Sequence, residues 1–282
     1  MSFNLKKCNV CPIECGVDRT KNRGACGAGE KIEVSSWNLH FGEEPPISGI
    51  RGSGTIFFAH CSLKCIFCQN YPISHLGNGE EITREILSDI ILDLQRSKAH
   101  NINLVTPTHY TPQIKDVLEK IKSEKLKIPV VYNCGGYEKS ETLKELEGLV
   151  DIYMPDTKFS EPEVAEKLCN ARDYREVNQK ALKEMHRQVG KLNLSSNGIA
   201  KKGVLVRHLV LPNNLSGTEK ILKFIAEELG KDTYISLMSQ YHPAHKAVDN
   251  KLLNRKIYQQ EYRDAVEMTK KLGLENCFYQ KA

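Results

Sequence analysis

From about residue 55 onward, short and mostly apolar runs alternate with longer segments in which apolar residues recur at intervals of three and four. That alternation predicts repeated βα units around a parallel sheet. Six strands are expected, over Thr55–His60, Asn103–Pro107, Pro129–Cys134, Ile152–Asp156, Val204–Leu211 and Tyr234–Gln240. Each is apolar on both faces, as a strand covered by helices on one side and filling an interior on the other should be. Helices are expected between or after them, over Thr83–Ala99, Pro112–Lys125, Ser140–Glu147, Arg172–Val189, Thr218–Glu228 and Tyr258–Lys271. Thr83 ahead of Ile86 and Leu87, Ser140 ahead of Leu143, and Pro112 in a first turn supply the start signals. Six units exceed a small mononucleotide fold and fall short of an eight-stranded closed barrel. The expected fold class is therefore α/β, an open, partial (β/α)6 barrel with a small Cys-rich N-terminal segment.

Residues 1–50 differ from the rest, being rich in Cys, Gly, Pro and short polar runs without a sustained period. They read as a metal-organised leader ahead of a barrel spanning 51–282. With 282 residues and 40% hydrophobic content, the chain has enough apolar material for one large core. The formal net charge is +5, but acidic and basic residues are interspersed, as in EILSDIILDLQRSK, so a dedicated nucleic-acid binder is not indicated. No window approaches eighteen uninterrupted apolar residues and the start, MSFNLKKC, has no apolar signal core, so a soluble cytoplasmic protein away from membranes is expected.

Cysteine changes the picture. Of ten, seven fall into two tight groups, while Cys134, Cys169 and Cys277 stand alone. Grouping of this kind in a long chain points to thiolate ligands rather than a disulfide scaffold. Cys61, Cys65 and Cys68 directly follow the first predicted strand, on one loop at its carboxyl end, where active sites of such folds gather. A C-x3-C-x2-C loop can wrap three corners of an iron–sulfur cubane and leave one iron without a protein thiolate. The alternative is a zinc knuckle completed by a remote residue such as His60 or His75. In the leader, Cys8, Cys11, Cys15 and Cys26 supply four thiols, enough for a tetrahedral zinc site or a second, saturated cubane. Spacing does not choose between them, and unligated thiols are the remaining reading.

The loop resembles the signature of the radical S-adenosylmethionine (SAM) superfamily, C-x3-C-x-aromatic-C, with Phe67 at the aromatic place. More closely, GSGTIFFAHCSLKCIFCQN followed by PISH, with the Cys-rich leader and GEEPPISG, is similar to the pyruvate formate-lyase-activating-enzyme-like branch. The resemblance implies a 4Fe–4S cluster on Cys61, Cys65 and Cys68, SAM as cofactor, and Phe67 near the adenine. It implies further SAM contacts from Asp156 and Lys158 in YMPDTK, Arg207 in VLVRHLVLP and His242 in QYHPAH. Gln240 departs from the branch's pattern ahead of His242, and Thr106-Pro107-Thr108-His109 stands where many members carry Gly-Gly-Glu. Thr106 or Thr108 can offer acceptors to the SAM ammonium, or the segment is a rigid turn without a ligand role. Cys134, in YNCGGYE, is expected at the same mouth as a hydrogen-atom donor or as a small buried hydrophobe, beside a Gly135-Gly136 turn of close backbone approach. No role is assigned to Cys169 or Cys277.

The activity so implied is an anaerobic radical SAM oxidoreductase: reductive cleavage of SAM to a 5′-deoxyadenosyl radical that abstracts hydrogen, the target being a glycyl radical enzyme. An electron donor such as flavodoxin or ferredoxin is implied with it. The competing readings are radical modification of another protein or a small molecule, a structural zinc or iron–sulfur module without SAM chemistry, and a plain electron carrier. A large βα body is more than either of the last two needs.

Overall fold

The computed structural model describes residues 3–280. Ten strands form its sheet: β1 (Ile32–His40), β2 (Ser53–Phe58), β3 (Glu80–Ile82), β4 (Ile102–Val105), β5 (Val130–Cys134), β6 (Ile152–Pro155), β7 (Asn193–Leu194), β8 (Ala200–Leu209), β9 (Tyr234–Met238) and β10 (Cys277–Tyr279). Their order is β10-β9-β8-β6-β5-β4-β2-β1-β3, with β7 paired off this path to β8. From β2 to β10 the neighbours in that order are parallel, whereas β1 runs antiparallel to both β2 and β3. The protein is thus α/β with a mostly parallel central sheet.

All six expected strands are present, each shifted or trimmed by a few residues. Four strands, β1, β3, β7 and β10, fall outside the expectation. One matters for the site: β1 lies within residues 1–50, so the leader is not wholly irregular but lends the sheet a nine-residue strand. Its period is hidden by a register shift between Val34 and Ser36 and by burial of its first half only.

Alternation along the parallel strands divides the core into two layers. Ile56, Phe58, Ile102, Leu104 and Val130 face helices Arg84–Arg96 and Thr111–Ile121. The first of these helices buries Leu87, Ile90, Ile91 and Leu94, a stripe at helical spacing, and the Thr83 hydroxyl accepts the Ile86 N–H at 3.3 Å to cap it. Val131, Ile152, Met154 and Leu205 point to the opposite face and meet Ile47, which is fully buried and enters from the turn Pro45–Ser48. A third cluster lies at the carboxyl ends of the strands, joining Leu63, Cys65, Phe67, Phe159, Tyr174 and Tyr241. Among the described residues no helix is long and apolar enough to cross a membrane.

Candidate active site

The chain leaves β2 through Ala59 and His60, and His60 adopts a left-handed backbone with φ of 71°. Its ring is held between Gly27 and Gly77, where an added Cβ would stand 2.7 and 2.4 Å from ring atoms. Ring Nε2 is 3.1 Å from Glu33 Oε2, and the Arg23 guanidinium donates to Glu33 Oε1 at 2.7 Å and to the Gly27 carbonyl at 2.8 Å. From the far side, His109 Nε2 lies 2.8 Å from the Ala59 carbonyl. The three-thiol loop therefore starts from a rigid pivot, with His60 Nε2 set between Glu33 and Arg23, whose Nη1 lies 2.9 Å from it.

Cys65 is buried, and Cys61 and Cys68 are partly so. Burial pushes the Cys61 thiol up, as do Cys65 and Cys68 beside it. Cys65 is raised by contact with Cys169 and then by burial; Cys169 ends helix Pro162–Cys169. The same helix end anchors the loop, the Ile66 N–H donating to the Leu168 carbonyl at 2.9 Å. Cys68 Sγ lies 3.1 Å from Ser74 Oγ, and Ser74 Oγ lies 2.9 Å from His75 Nδ1. Among the described residues no three His, Cys, Asp or Glu side chains stand in metal-holding geometry, Cys61, Cys65 and Cys68 included, while His60 pairs with Glu33 and His75 with Ser74. The donor set fits a cluster in its chemistry: three soft thiols on one loop, in a buried setting where thiolates gain from a cationic partner.

Across the mouth, Asp156 follows β6 and accepts from Arg207 Nε of β8 at 2.8 Å and from the Lys158 ammonium. Burial alone would raise the Asp156 carboxyl, but Arg207 and Lys158 hold it below the usual range. Burial would lower Lys158, and Asp156 and Cys65 overcome this and raise it. Arg207 also donates to Asn133 Oδ1 at 2.7 Å, and Glu43 Oε2 lies 3.5 Å from its Nη1. Glu43, ahead of the Ile47 turn, is a residue that sequence reasoning missed; its Oε1 accepts from Asn103 Nδ2 at 3.0 Å.

Phe67 is buried edge-on to Phe159 and Tyr241, with ring centroids 6.0 and 6.3 Å away. His242 is exposed, its Nδ1 3.1 Å from the amide of Gln69, next to Cys68. Thr106 follows β4 with φ of 58°, a strained state for a β-branched residue, while the Thr108 hydroxyl donates to Glu138 at 2.7 Å and is thereby used. Cys134 does not join the mouth: it packs into the helix-facing layer with Tyr132, Leu143 and Tyr153, because it is one residue out of phase with Asn133. Gly136 is the close approach expected, since a Cβ there would meet the Asp156 carbonyl at 1.9 Å.

Comparison with known proteins settles the family. The family model described as the radical SAM superfamily matches residues 55–225, more than half of the chain. The chain belongs to the radical SAM superfamily. Membership implies a 4Fe–4S cluster and SAM. An uncharacterized protein of Methanocaldococcus jannaschii is 32% identical over 278 residues, covering 96% of this chain and 76% of that one. A second uncharacterized protein of that organism is 25% identical, covering 87% and 73%. Among solved structures, SuiB of Streptococcus suis aligns with a TM-score of 0.54 at 14% identity, over 79% of this chain and 48% of SuiB. HydG, a maturase of the FeFe hydrogenase, aligns with a TM-score of 0.55 at 15% identity, over 78% and 49%. The chain thus spans about half the length of these two structures, whose likeness is one of fold.

In this radical SAM chain the leader thiols form a second gathering. Cys8, Cys11 and Cys26 are buried and Cys15 half-buried. Tight turns bring them together: Cys8 N–H donates to the Val17 carbonyl and Gly16 N–H to the Cys8 carbonyl, each at 3.0 Å. A Cβ on Gly24 would stand 3.5 Å from Cys15 Sγ and 3.6 Å from Cys26 Sγ, so both thiols lie against Gly24. Burial pushes Cys11 up to about 12. Burial also acts to raise Cys15, but backbone N–H groups of Ala25 and Val17 bring it below its ordinary value. The leader is fixed to the body by Arg19, which is buried and donates to the Gly29 carbonyl at 3.0 Å and to the His109 carbonyl at 2.6 Å. Thr142 adds a hydrogen bond to the Val10 carbonyl at 2.6 Å.

Proposed function

We propose that Cys61, Cys65 and Cys68 hold the 4Fe–4S cluster and leave one iron for SAM. The observation that carries this is the placement of three thiols on one loop at the carboxyl end of β2, facing the Asp156, Lys158 and Arg207 network. A cluster held by Cys61, Cys65 and Cys68 would supply one-electron reductive cleavage of SAM, and with it the capacity to remove a substrate hydrogen. Lys158 and Arg207 serve as counter-charges to the SAM carboxylate, with Asp156 orienting both. Phe67 packs the loop beside the adenine, and His242 stands by the nucleoside. Thr106, in a strained turn directly after β4, is the candidate for the SAM ammonium.

The strand order supports an open, partial (β/α)6 barrel built from β2, β4, β5, β6, β8 and β9, with residues 1–50 as a Cys-rich leader and 51–282 as the catalytic body. Cys8, Cys11, Cys15 and Cys26 are read as a closed site for zinc or an iron–sulfur cluster, structural or electron-relaying in role. Motif likeness supports the pyruvate formate-lyase-activating-enzyme-like branch and, with it, a glycine Cα–H on a partner protein as target. A polypeptide substrate also has a precedent in SuiB, whose structure is known bound to its precursor peptide SuiA. A flavodoxin or ferredoxin in the cytoplasm is the reading for the electron source.

Anaerobic reconstitution tests this. Wild type should take up about four iron and four sulfide at the loop and form 5′-deoxyadenosine from SAM with dithionite. Cys65→Ala should lose both. Undiminished deoxyadenosine in that variant, or spectroscopy showing a fourth protein ligand on the iron, rejects the assignment. Capture of a partner bearing a glycyl-radical motif supports the activase reading, and modified small molecules or other residues would replace it.

A further inference from the structure

Lys64 sits in the middle of the three-thiol loop, yet its side chain turns away to grip two neutral carbonyls. Its ammonium donates to the Cys26 carbonyl at 3.0 Å and to the Ser74 carbonyl at 3.1 Å. Cys26 is the fourth thiol of the leader. Ser74 is the residue whose hydroxyl touches Cys68 Sγ at 3.1 Å. One cation thus joins the backbone of the leader's thiol group to the backbone that positions the third thiol of the loop. Next to it the His60 ring fills the gap between Gly27, which follows Cys26, and Gly77. The two thiol groups are mechanically one unit through these contacts.

We infer that Lys64 is a positioning residue through which the state of the leader thiol group sets the order and reduction potential of the cluster loop, an inference that rests on the proposed cluster assignment. The physical argument has two parts. Both partners of the ammonium are carbonyls, so its positive charge is left without an opposing carboxylate at the tether and acts on whatever charge the adjacent thiolates carry. A cation there favours the more negative, reduced cluster and so raises its potential, net charge and sulfur hydrogen bonds being the main protein levers on that quantity. The tether also needs the Cys26 carbonyl in place, and Cys26 sits in the turn closed by the Gly24 N–H on the Ala28 carbonyl at 2.9 Å and the Gly27 N–H on the Gly24 carbonyl at 2.8 Å, with the Cys15 and Cys26 thiols both against Gly24. Unloading or disrupting the leader frees the ammonium, loosens Ser74 and lowers the potential.

The test compares wild type, Lys64→Met, Lys64→Arg, Cys8→Ser and the Lys64→Met/Cys8→Ser pair in the full chain. Redox titration followed by electron paramagnetic resonance reads the potential. Lys64→Met and Cys8→Ser should each lower it and slow deoxyadenosine formation at fixed donor potential by about threefold to tenfold, tenfold corresponding to about 59 mV for a one-electron couple. Lys64→Arg should restore most of the shift, and the pair should shift no further than either single variant. A wild-type potential in Lys64→Met, or additive shifts in the pair, overturns the inference. Hydrogen exchange of residues 62–76 in the cluster-free proteins gives an independent reading: faster exchange in both single variants supports the tether and unchanged exchange rejects it. Should wild type take up no cluster, the functional assignment falls and hydrogen exchange alone judges the tether.

Discussion

Glu138 is enclosed beside β5, accepting from the hydroxyls of Thr108 at 2.7 Å and Tyr132 at 3.2 Å, and burial pushes its carboxyl up to about 7. An unfolded glutamate titrates near about 4.3, so the folded state holds the proton to higher pH. The stabilisation is complete below the unfolded value and drains away as pH rises through about 7. Glu138 should therefore contribute a loss on the order of 3 kcal/mol from acid to mildly alkaline pH, read as the change with pH in the difference between the urea-unfolding stabilities of wild type and Glu138→Gln. An unchanged slope in the variant would assign the pH dependence elsewhere. At the same scale, Cys169 lies against Cys65 but is not counted among the ligands. Cys169→Ser should keep the iron content and deoxyadenosine yield of wild type, whereas a loss as large as that of Cys65→Ala would make it a ligand. Neither residue was legible in the sequence: a lone cysteine and a lone glutamate carry no spacing, and their neighbours come from distant segments.

The loop after β2 is the element on which the site depends, and its form rests on the His60 pivot. Gly77 has φ of 72° and leaves no room for a Cβ beside the ring. Gly77→Ala should destabilise by about 2–4 kcal/mol from backbone strain and overpacking together, measured as a lower urea midpoint. His60→Ala should recover the packing part of that loss, since it empties the contested space. The C-x3-C-x2-C spacing and six of the seven parallel strands were readable because they are local, apolar and periodic, whereas the three-residue β10 was too short to stand out. Strand β1 was not, because only Ile32 to Val34 is buried and Trp37 is exposed on the half that follows the register shift. Cys134 was read at the correct strand end but on the wrong face, a one-residue matter of phase that motif reading does not resolve.

At the scale of the whole molecule, the leader and body are held together by a buried cation. Arg19 bonds carbonyls on both sides of the contact and lies 5.8 Å from the Tyr110 ring centroid. Arg19→Met keeps the volume but leaves the carbonyls without donors. It should cost about 2–4 kcal/mol and speed the reaction of the leader thiols with a maleimide in metal-free protein; protection equal to wild type would show that other contacts suffice. The leader's partners were invisible in sequence for a geometric reason, since His109 lies 90 residues beyond Arg19 and Thr142 lies 132 beyond Val10. That separation has an outcome for synthesis. From β2 to β10 each parallel strand joins next to its predecessor, so a nascent chain can build this part of the sheet in the order in which it leaves the ribosome. The four N-terminal thiols emerge first and must wait for the surface that shelters them. During that interval, only a bound metal or a reducing medium stands between them and oxidation.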